Sequence, residues 1–314
     1  MTFPEPYRAR PARRGDLDAL IELFEARDQA DVGFIDQARD EIIEDWASVR
    51  FDFDRDTVLV EAPDRTIAAY GVVLALDPTA QIFAIGKVHP RHAGLGLGAA
   101  LLRETERRAH ERLPAGVRAP FRIGVPESDR AAIDLAGASG FRHVRSFWHM
   151  ERDLSGEVPP PEPPGSITLR TGDVGDDEVI AYRVLDEAFR ENFGYEPISL
   201  DDWLRQFHEW PSYDPTLTVM AFDGDDPVGV SVNNAADDGI GWVADLGVLS
   251  AWRRRGIGRA LLLRSFAELA ARGQREVRLG VDSENSTGAT HLYVGAGMTV
   301  RRRFDVYEKV LTGA

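Results

Sequence analysis

Residues 88–102 lie over residues 248–262 without a gap, and this internal match constrains the fold more than any other feature of the chain. Gly96 and Gly98 fall on Gly256 and Gly258, and the apolar run behind them repeats as well. Further on, Ala136, Gly140 and Phe141 fall on Tyr293, Gly297 and Met298. Each copy also opens alike. Arg10 precedes the acidic helix start Asp16-Leu17-Asp18, and Arg170 precedes Asp176-Asp177-Glu178. Between the copies, Ser-Gly-Glu-Val-Pro-Pro-Pro-Glu-Pro-Pro-Gly-Ser lacks the free backbone donors that a helix or central strand needs, so it reads as an extended connector. The expectation is one fold in tandem: residues 1–153, a linker 154–166, and residues 167–314.

Within each copy, strands alternate with helices after an opening hairpin, 57–61 with 67–76 and 217–222 with 227–233. A further strand follows the long helix (121–125; 277–281), then a short helix, then a last strand (146–152; 304–310). This order predicts an α/β fold with a mixed sheet.

The second copy carries the chemistry. The strand Gly241-Trp242-Val243-Ala244-Asp245-Leu246-Gly247-Val248 runs into Trp252-Arg253-Arg254-Arg255-Gly256-Ile257-Gly258-Arg259, which opens a helix with apolar residues at Leu262, Phe266 and Leu269. Glycine lets backbone N–H groups close on an anion, the helix start adds its positive end, and arginine adds charge. A Walker A loop is excluded, because Arg259-Ala260 stands where Lys-Ser/Thr is required.

Together with Asn285, Tyr293, Gly297 and Met298 downstream, this loop resembles the Arg/Gln-x-x-Gly-x-Gly/Ala signature of the GNAT superfamily of acetyltransferases. The resemblance covers nearly the whole chain twice. It implies an α/β protein of two tandem GNAT-like domains, each a mixed, mostly antiparallel sheet flanked by helices. It also implies acetyl-CoA as cosubstrate. The pyrophosphate would be held at Arg253, Arg254, Arg255, Gly256, Ile257, Gly258 and Arg259. The pantetheine arm would lie along the backbone of Leu246, Gly247 and Val248, with Asn285 near its reactive end. Tyr293 takes the role of the acid that protonates the departing thiolate, a task that suits a phenol with a pKa near ~10. For the base, position in the sequence favours Asp245, with Asp282 and Glu284 as alternatives. The layout is most similar to mycothiol synthases, but their strand carries a glutamate where this chain has Trp242. By the same resemblance, the aromatic and acidic region with Phe189, Glu191, Phe193, Tyr195, Asp201, Trp203, Phe207 and Trp210 covers the acceptor.

The first copy lacks these groups. Ala93 and Leu95 replace Arg253 and Arg255, Ser128 stands for Asn285 and Ala136 for Tyr293, while Gly94, Gly96 and Gly98 remain. It reads as a structural, degenerate domain, the alternative being that its remaining glycine amides still hold a CoA molecule without turning it over. His89 and His92 form no metal pair by pattern, since no third ligand is near in sequence, and no metal is expected.

Composition narrows the partners. The chain has no cysteine, which excludes an acyl-cysteine mechanism and any thiolate metal site. A net charge of −15 argues against nucleic acid and suits an amine-bearing small molecule. No apolar run reaches the ~18 residues of a membrane span and no leader pattern opens the chain, so a cytoplasmic monomer or homodimer is expected. The reading is an acetyl-CoA-dependent N-acetyltransferase acting on a primary amine, with catalysis in the second domain. Alternatives are a mycothiol synthase, an aminoglycoside-type resistance acetyltransferase, or a non-catalytic acyl-CoA-binding regulator.

Overall fold

The computed structural model describes residues 3–33, 38–47, 51–75, 77–208, 212–236, 238–285 and 287–313. They form two compact units: Met1–Arg145 with Phe304–Ala314, and Ser146–Arg303.

The first unit contains β1 (Arg8–Arg10), α1 (Leu17–Val32), α2 (Ala38–Ala47), α3 (Phe53–Asp56), β2 (Thr57–Glu61), β3 (Ile67–Leu74), β4 (Ile82–Val88), α4 (Leu97–Arg112), β5 (Arg118–Pro126) and α5 (Arg130–Ala138). The second contains β6 (Arg142–Asp153) from Ser146 onward, β7 (Ile167–Thr171), α6 (Asp176–Phe189), α7 (Leu200–His208), β8 (Val219–Asp223), β9 (Asp226–Ala235), β10 (Ile240–Val248), α8 (Ile257–Ala271), β11 (Glu276–Asp282) and α9 (Ala289–Gly295). A last strand, β12 (Thr299–Thr312), contributes its segment from Phe304 to the first unit.

The strand orders are β1-β2-β3-β4-β5-β12 and β6-β11-β10-β9-β8-β7. Within each unit the strand pairs are antiparallel except for one parallel pair, β4 with β5 in the first and β10 with β11 in the second. The units depart from the linear halves in one respect. β12 pairs with β5 from Phe304↔Pro126 to Thr312↔Arg118, and β6 pairs with β11 from Phe147↔Asp282 to Asp153↔Glu276. The closing strand of each repeat therefore completes the sheet built from the other repeat, where a continuous ladder satisfies its backbone.

The repeated arginine and acidic helix start has a physical use. Arg10 donates to both carboxylate oxygens of Asp16 at 2.7 and 2.8 Å, and Arg170 does the same to Asp177 at 2.6 Å. Each bidentate pair ties the opening strand to the helix that follows it. Residues 154–166 contain no helix or strand, as their prolines dictate. The expected start of the second hairpin shifts, because Asp214 caps a tight turn at Pro215–Leu217 and β8 begins only at Val219. Leu76, the expected end of the first hairpin, lies outside the described residues.

Around the second sheet, α8 packs Leu262, Phe266 and Leu269 against Val243, Val277 and Leu279. On the other face, α6 and α7 pack Val184, Leu185, Trp203 and Phe207 against Met220, Val230 and Val232. A core on both faces holds β10 and β11 rigid where they begin to separate.

Candidate active site

Parallel pairing of β10 with β11 ends at Trp242↔Arg278, while β10 stays paired with β9 to Val248 and β11 stays paired with β6 to Asp282. The two strands thus part beyond Trp242, leaving the edge of β10 around Leu246, Gly247 and Val248 facing a gap. A cleft of about 460 Å3 occupies it, lined wholly by the second unit. An edge with unpaired amides and carbonyls can accept an extended amide-bearing chain as another strand would.

An irregularity in β10 decides which side chains face which wall. The register with β9 shifts between Val243 and Asp245, so Ala244 is an extra residue. Simple alternation would put Asp245 beside Val243 on the α8 side. The bulge instead turns Asp245 to the face shared by Trp242 and Gly247. That face carries α6, since a Cβ at Gly247 would come within 2.9 Å of Leu185 and 3.1 Å of Ala188. Glycine at 247 is what lets the helix lie so close to the strand.

Tyr293 approaches the gap from the opposite side. It sits on α9, 7% exposed, in the cluster of Val243, Leu279 and Phe266. Burial and then the charge of Asp245 push its phenol up to about 12, so it keeps its proton at neutral pH. Asp245 is only partly covered and opens onto the cleft, yet most of its surroundings are protein. Desolvation pushes its carboxyl from 3.8 up to about 6. A proton donor and a basic carboxylate thus flank the gap, with environments that hold their pKa values apart.

The loop at the mouth of the gap takes a backbone conformation that few residues adopt. Gly256 has φ 89° and forms the N-cap of α8, while Arg254 is itself in the left-handed region at φ 61°. Gly258 lies under Leu292, which a Cβ would approach to 3.3 Å. Ile257 is buried beneath the loop, so its backbone, not its side chain, is available. Arg253, Arg254, Gly256, Gly258 and Arg259 line the cleft.

The arginines divide. The guanidinium of Arg253 donates to the carbonyls of Val248 at 3.1 Å and Ala188 at 2.8 Å and reaches Glu191 at 3.4 Å, so it ties the loop to α6. Arg255 lies over Trp252 at 4.7 Å. Arg259 donates to the carbonyl of Gly295 at 3.1 Å, joining the first turn of α8 to the end of α9.

Of the remaining expected residues, Asn285 lines the cleft and its side-chain oxygen accepts from the Thr287 amide at 2.8 Å. It shapes the turn before α9, whose N-cap is Gly288. Asp282 lines the cleft and accepts from the Glu284 amide at 2.9 Å, while Glu284 is exposed. Phe189 and Phe193 line the cleft. Trp203 and Phe207 are instead core, and Tyr195 donates to Asp186. Trp210 lies outside the described residues. Phe147, Ala188, Asn192 and Gly280 are among the cleft residues that carried no sequence signal. Phe147 belongs by sequence to the closing strand of the first repeat, and only the pairing of β6 with β11 brings it here.

The matching place in the first unit is built differently. β4 and β5 part beyond Ala84↔Ile123, and Lys87 stands where the second repeat has Gly247. Lys87 is buried, 3.8 Å from Asp28 and 5.0 Å from the centre of the Phe24 ring, so its side chain occupies the α1 side of the strand. Arg27 bridges α1 to Asp129 at the start of α5. Ala136 is fully buried, and His92 bonds Tyr7 at 2.9 Å.

Comparison with known proteins shows the family. The model of the acetyltransferase (GNAT) family matches residues 18–141 and again 181–298. A mycothiol acetyltransferase of Thermobispora bispora is 34% identical over 218 residues, covering 68% of this chain and 70% of that one. Its counterpart in Thermomonospora curvata is 33% identical over 250 residues, covering 78% and 80%. Among solved structures, a GCN5-related N-acetyltransferase from Sphaerobacter thermophilus superposes with a TM-score of 0.85 at 35% identity, covering 100% of this chain and 98% of that one. A tandem GNAT protein from the clavulanic acid biosynthesis pathway shares the fold, with a TM-score of 0.72 at 14% identity over 97% of this chain and 98% of its own.

Proposed function

The chain belongs to the acetyltransferase (GNAT) family, and from that premise we propose that its second unit transfers the acetyl group of acetyl-CoA to a primary amine of a small molecule. The observation that carries this reading is the pair flanking the gap: Asp245, turned inward by the bulge and raised to about 6, opposite a buried, protonated Tyr293. The cosubstrate supplies an activated thioester carbonyl. The residues do the rest. Amides at Gly256, Ile257 and Gly258, with Arg254 and Arg259, hold the pyrophosphate, and the edge of β10 aligns the arm. Asp245 accepts the proton that the incoming ammonium gives up before its nitrogen attacks, and Tyr293 gives its proton to the departing sulfur. One bond forms from nitrogen to the acetyl carbon, and one breaks between that carbon and sulfur.

The direct test is release of free thiol from acetyl-CoA across a panel of primary amines. Silence across the whole panel overturns the reading. Tyr293→Phe keeps the ring and removes the proton. A thiol has a reference pKa near ~8.5, so it can depart as thiolate, and the expected fall in kcat is about 100-fold, the low end for a general acid. Acetyl-CoA affinity should hardly change. Full activity in this variant would make Tyr293 a packing residue.

A further inference from the structure

Three phenylalanines from separate places in the sequence converge on the cleft wall that Asp245 faces. Phe189 ends α6, Phe193 follows in the turn beyond it, and Phe147 stands on β6. The rings of Phe147 and Phe193 are 6.5 Å apart at 53°, within the range of favourable aromatic pairs. All three remain only partly buried. Water-facing rings gathered in a concave site mark a place for apolar ligand surface.

The register shows that these groups share one face. Trp242 pairs with Arg278, and in β6 the partners of Gly280 and Asp282 are His149 and Phe147. Residues two apart on a strand share a face, so Phe147, Gly280 and Asp245 lie on the same side of the sheet. A Cβ at Gly280 would meet nothing nearer than His149, at 3.8 Å, which leaves the floor between Phe147 and Asp245 open. Among the described residues, the cleft-lining side chains on this wall that can hydrogen-bond include Asn192, Asp245 and Asp282, two of them carboxyl groups.

We propose, resting on the acetyl transfer argued above, that the acceptor is a primary amine carried on an apolar, aryl-bearing skeleton, its ring among Phe147, Phe189 and Phe193 and its nitrogen at Asp245. The wall offers an anion for one cation and ring surface for the rest. A polyhydroxylated amine such as an amino sugar would press several hydroxyls against phenyl groups that cannot pair with them, and unpaired polar groups oppose binding. An arylalkylamine meets edge-to-face partners instead, and its ammonium gains from both the carboxylate and the ring faces.

Calorimetry on the full chain saturated with CoA, titrated with 2-phenylethylamine and with D-glucosamine, tests this directly. The expected result is binding of 2-phenylethylamine at least tenfold tighter. Phe193→Ala should weaken that binding at least fivefold and leave glucosamine unchanged, and Phe193→Leu should restore part of the loss. Equal or reversed affinities, no binding of 2-phenylethylamine, or indifference to Phe193→Ala would overturn the assignment. Thiol release, measured in parallel, separates the two ideas. Transfer to glucosamine but not to 2-phenylethylamine would keep the acetyltransferase reading and sink the aryl acceptor. Preserved binding order without thiol release from any amine would do the reverse.

Discussion

Replacing Asp245 by asparagine is expected to lower kcat/KM for acetyl transfer by ~100- to 10,000-fold while leaving the protein at least as stable as before. The two effects have one origin. Burial raises the carboxyl from 3.8 to about 6, so the folded protein binds this proton more tightly than the unfolded chain does. The group therefore weakens stability progressively as pH rises from about 4 to 6, and at neutral pH the full penalty of holding a charge in the site is present. That penalty is at most about 3 kcal/mol at 1.36 kcal/mol per pKa unit. Asparagine has the same shape without the charge, so the melting temperature at pH 7.5 should stay level or rise. The wild-type pH profile of kcat/KM should climb through a limb near pH 6, and that limb should vanish in the variant. An aspartate held for structure would behave in the opposite way: its loss would lower the melting temperature and leave the profile intact. Steady-state kinetics from pH 5 to 9 with thermal melts at both ends distinguish the two.

The bulge that turns Asp245 to this face illustrates what the sequence could and could not disclose. Glycines are legible because so few reasons exist for them. Gly96 and Gly256 have φ of 80° and 89° at the starts of equivalent helices, and the matched spacing of the two loops was visible as a repeat. The arginine and acid pairs at Arg10 and Arg170 were legible as a pattern, although their purpose needed the geometry. The face of Asp245 was not legible. In Val243-Ala244-Asp245-Leu246, nothing local marks the extra residue, and its position follows from how β9 and β10 must pair.

Long-range pairing hid the aromatic wall in the same way. Phe147 lies in what reads as the closing strand of the first repeat, and its place beside β11 depends on a ladder between segments far apart in the chain. Side-chain direction was equally hidden. Arg253 fits the anion loop by position and lines the cleft, but nothing in the sequence signals that its guanidinium also donates to the Val248 and Ala188 carbonyls. Nothing in the sequence marks Lys87, one residue before the first loop's strand ends. Its place on the α1 side of β4, beside Asp28, makes it a stronger mark of divergence between the repeats than the lost arginines.

Gly256→Trp and Gly96→Trp form a matched pair, and the first is expected to abolish turnover while the second leaves turnover per folded molecule unchanged. The local cost should be nearly equal. Both glycines have a left-handed φ and cap a long helix, and a Cβ would meet only a proline ring, Pro164 at 3.9 Å in one case and Pro4 at 3.6 Å in the other. A non-glycine residue in this conformation costs on the order of 1–2 kcal/mol, so both variants should melt lower by similar amounts. They should differ in ligand binding. At Gly256 the indole would stand over the loop amides proposed to hold the pyrophosphate, and acetyl-CoA affinity should fall more than tenfold, beyond ~1.4 kcal/mol. At Gly96 the loop lacks arginines at positions 93 and 95, and Lys87 fills the α1 side of its strand. Calorimetry with acetyl-CoA and rates normalised to folded protein by circular dichroism read both variants. A Gly96 variant that is folded yet inactive would bring the first unit into the reaction, and unchanged affinity at Gly256 would remove the second loop from the cosubstrate site.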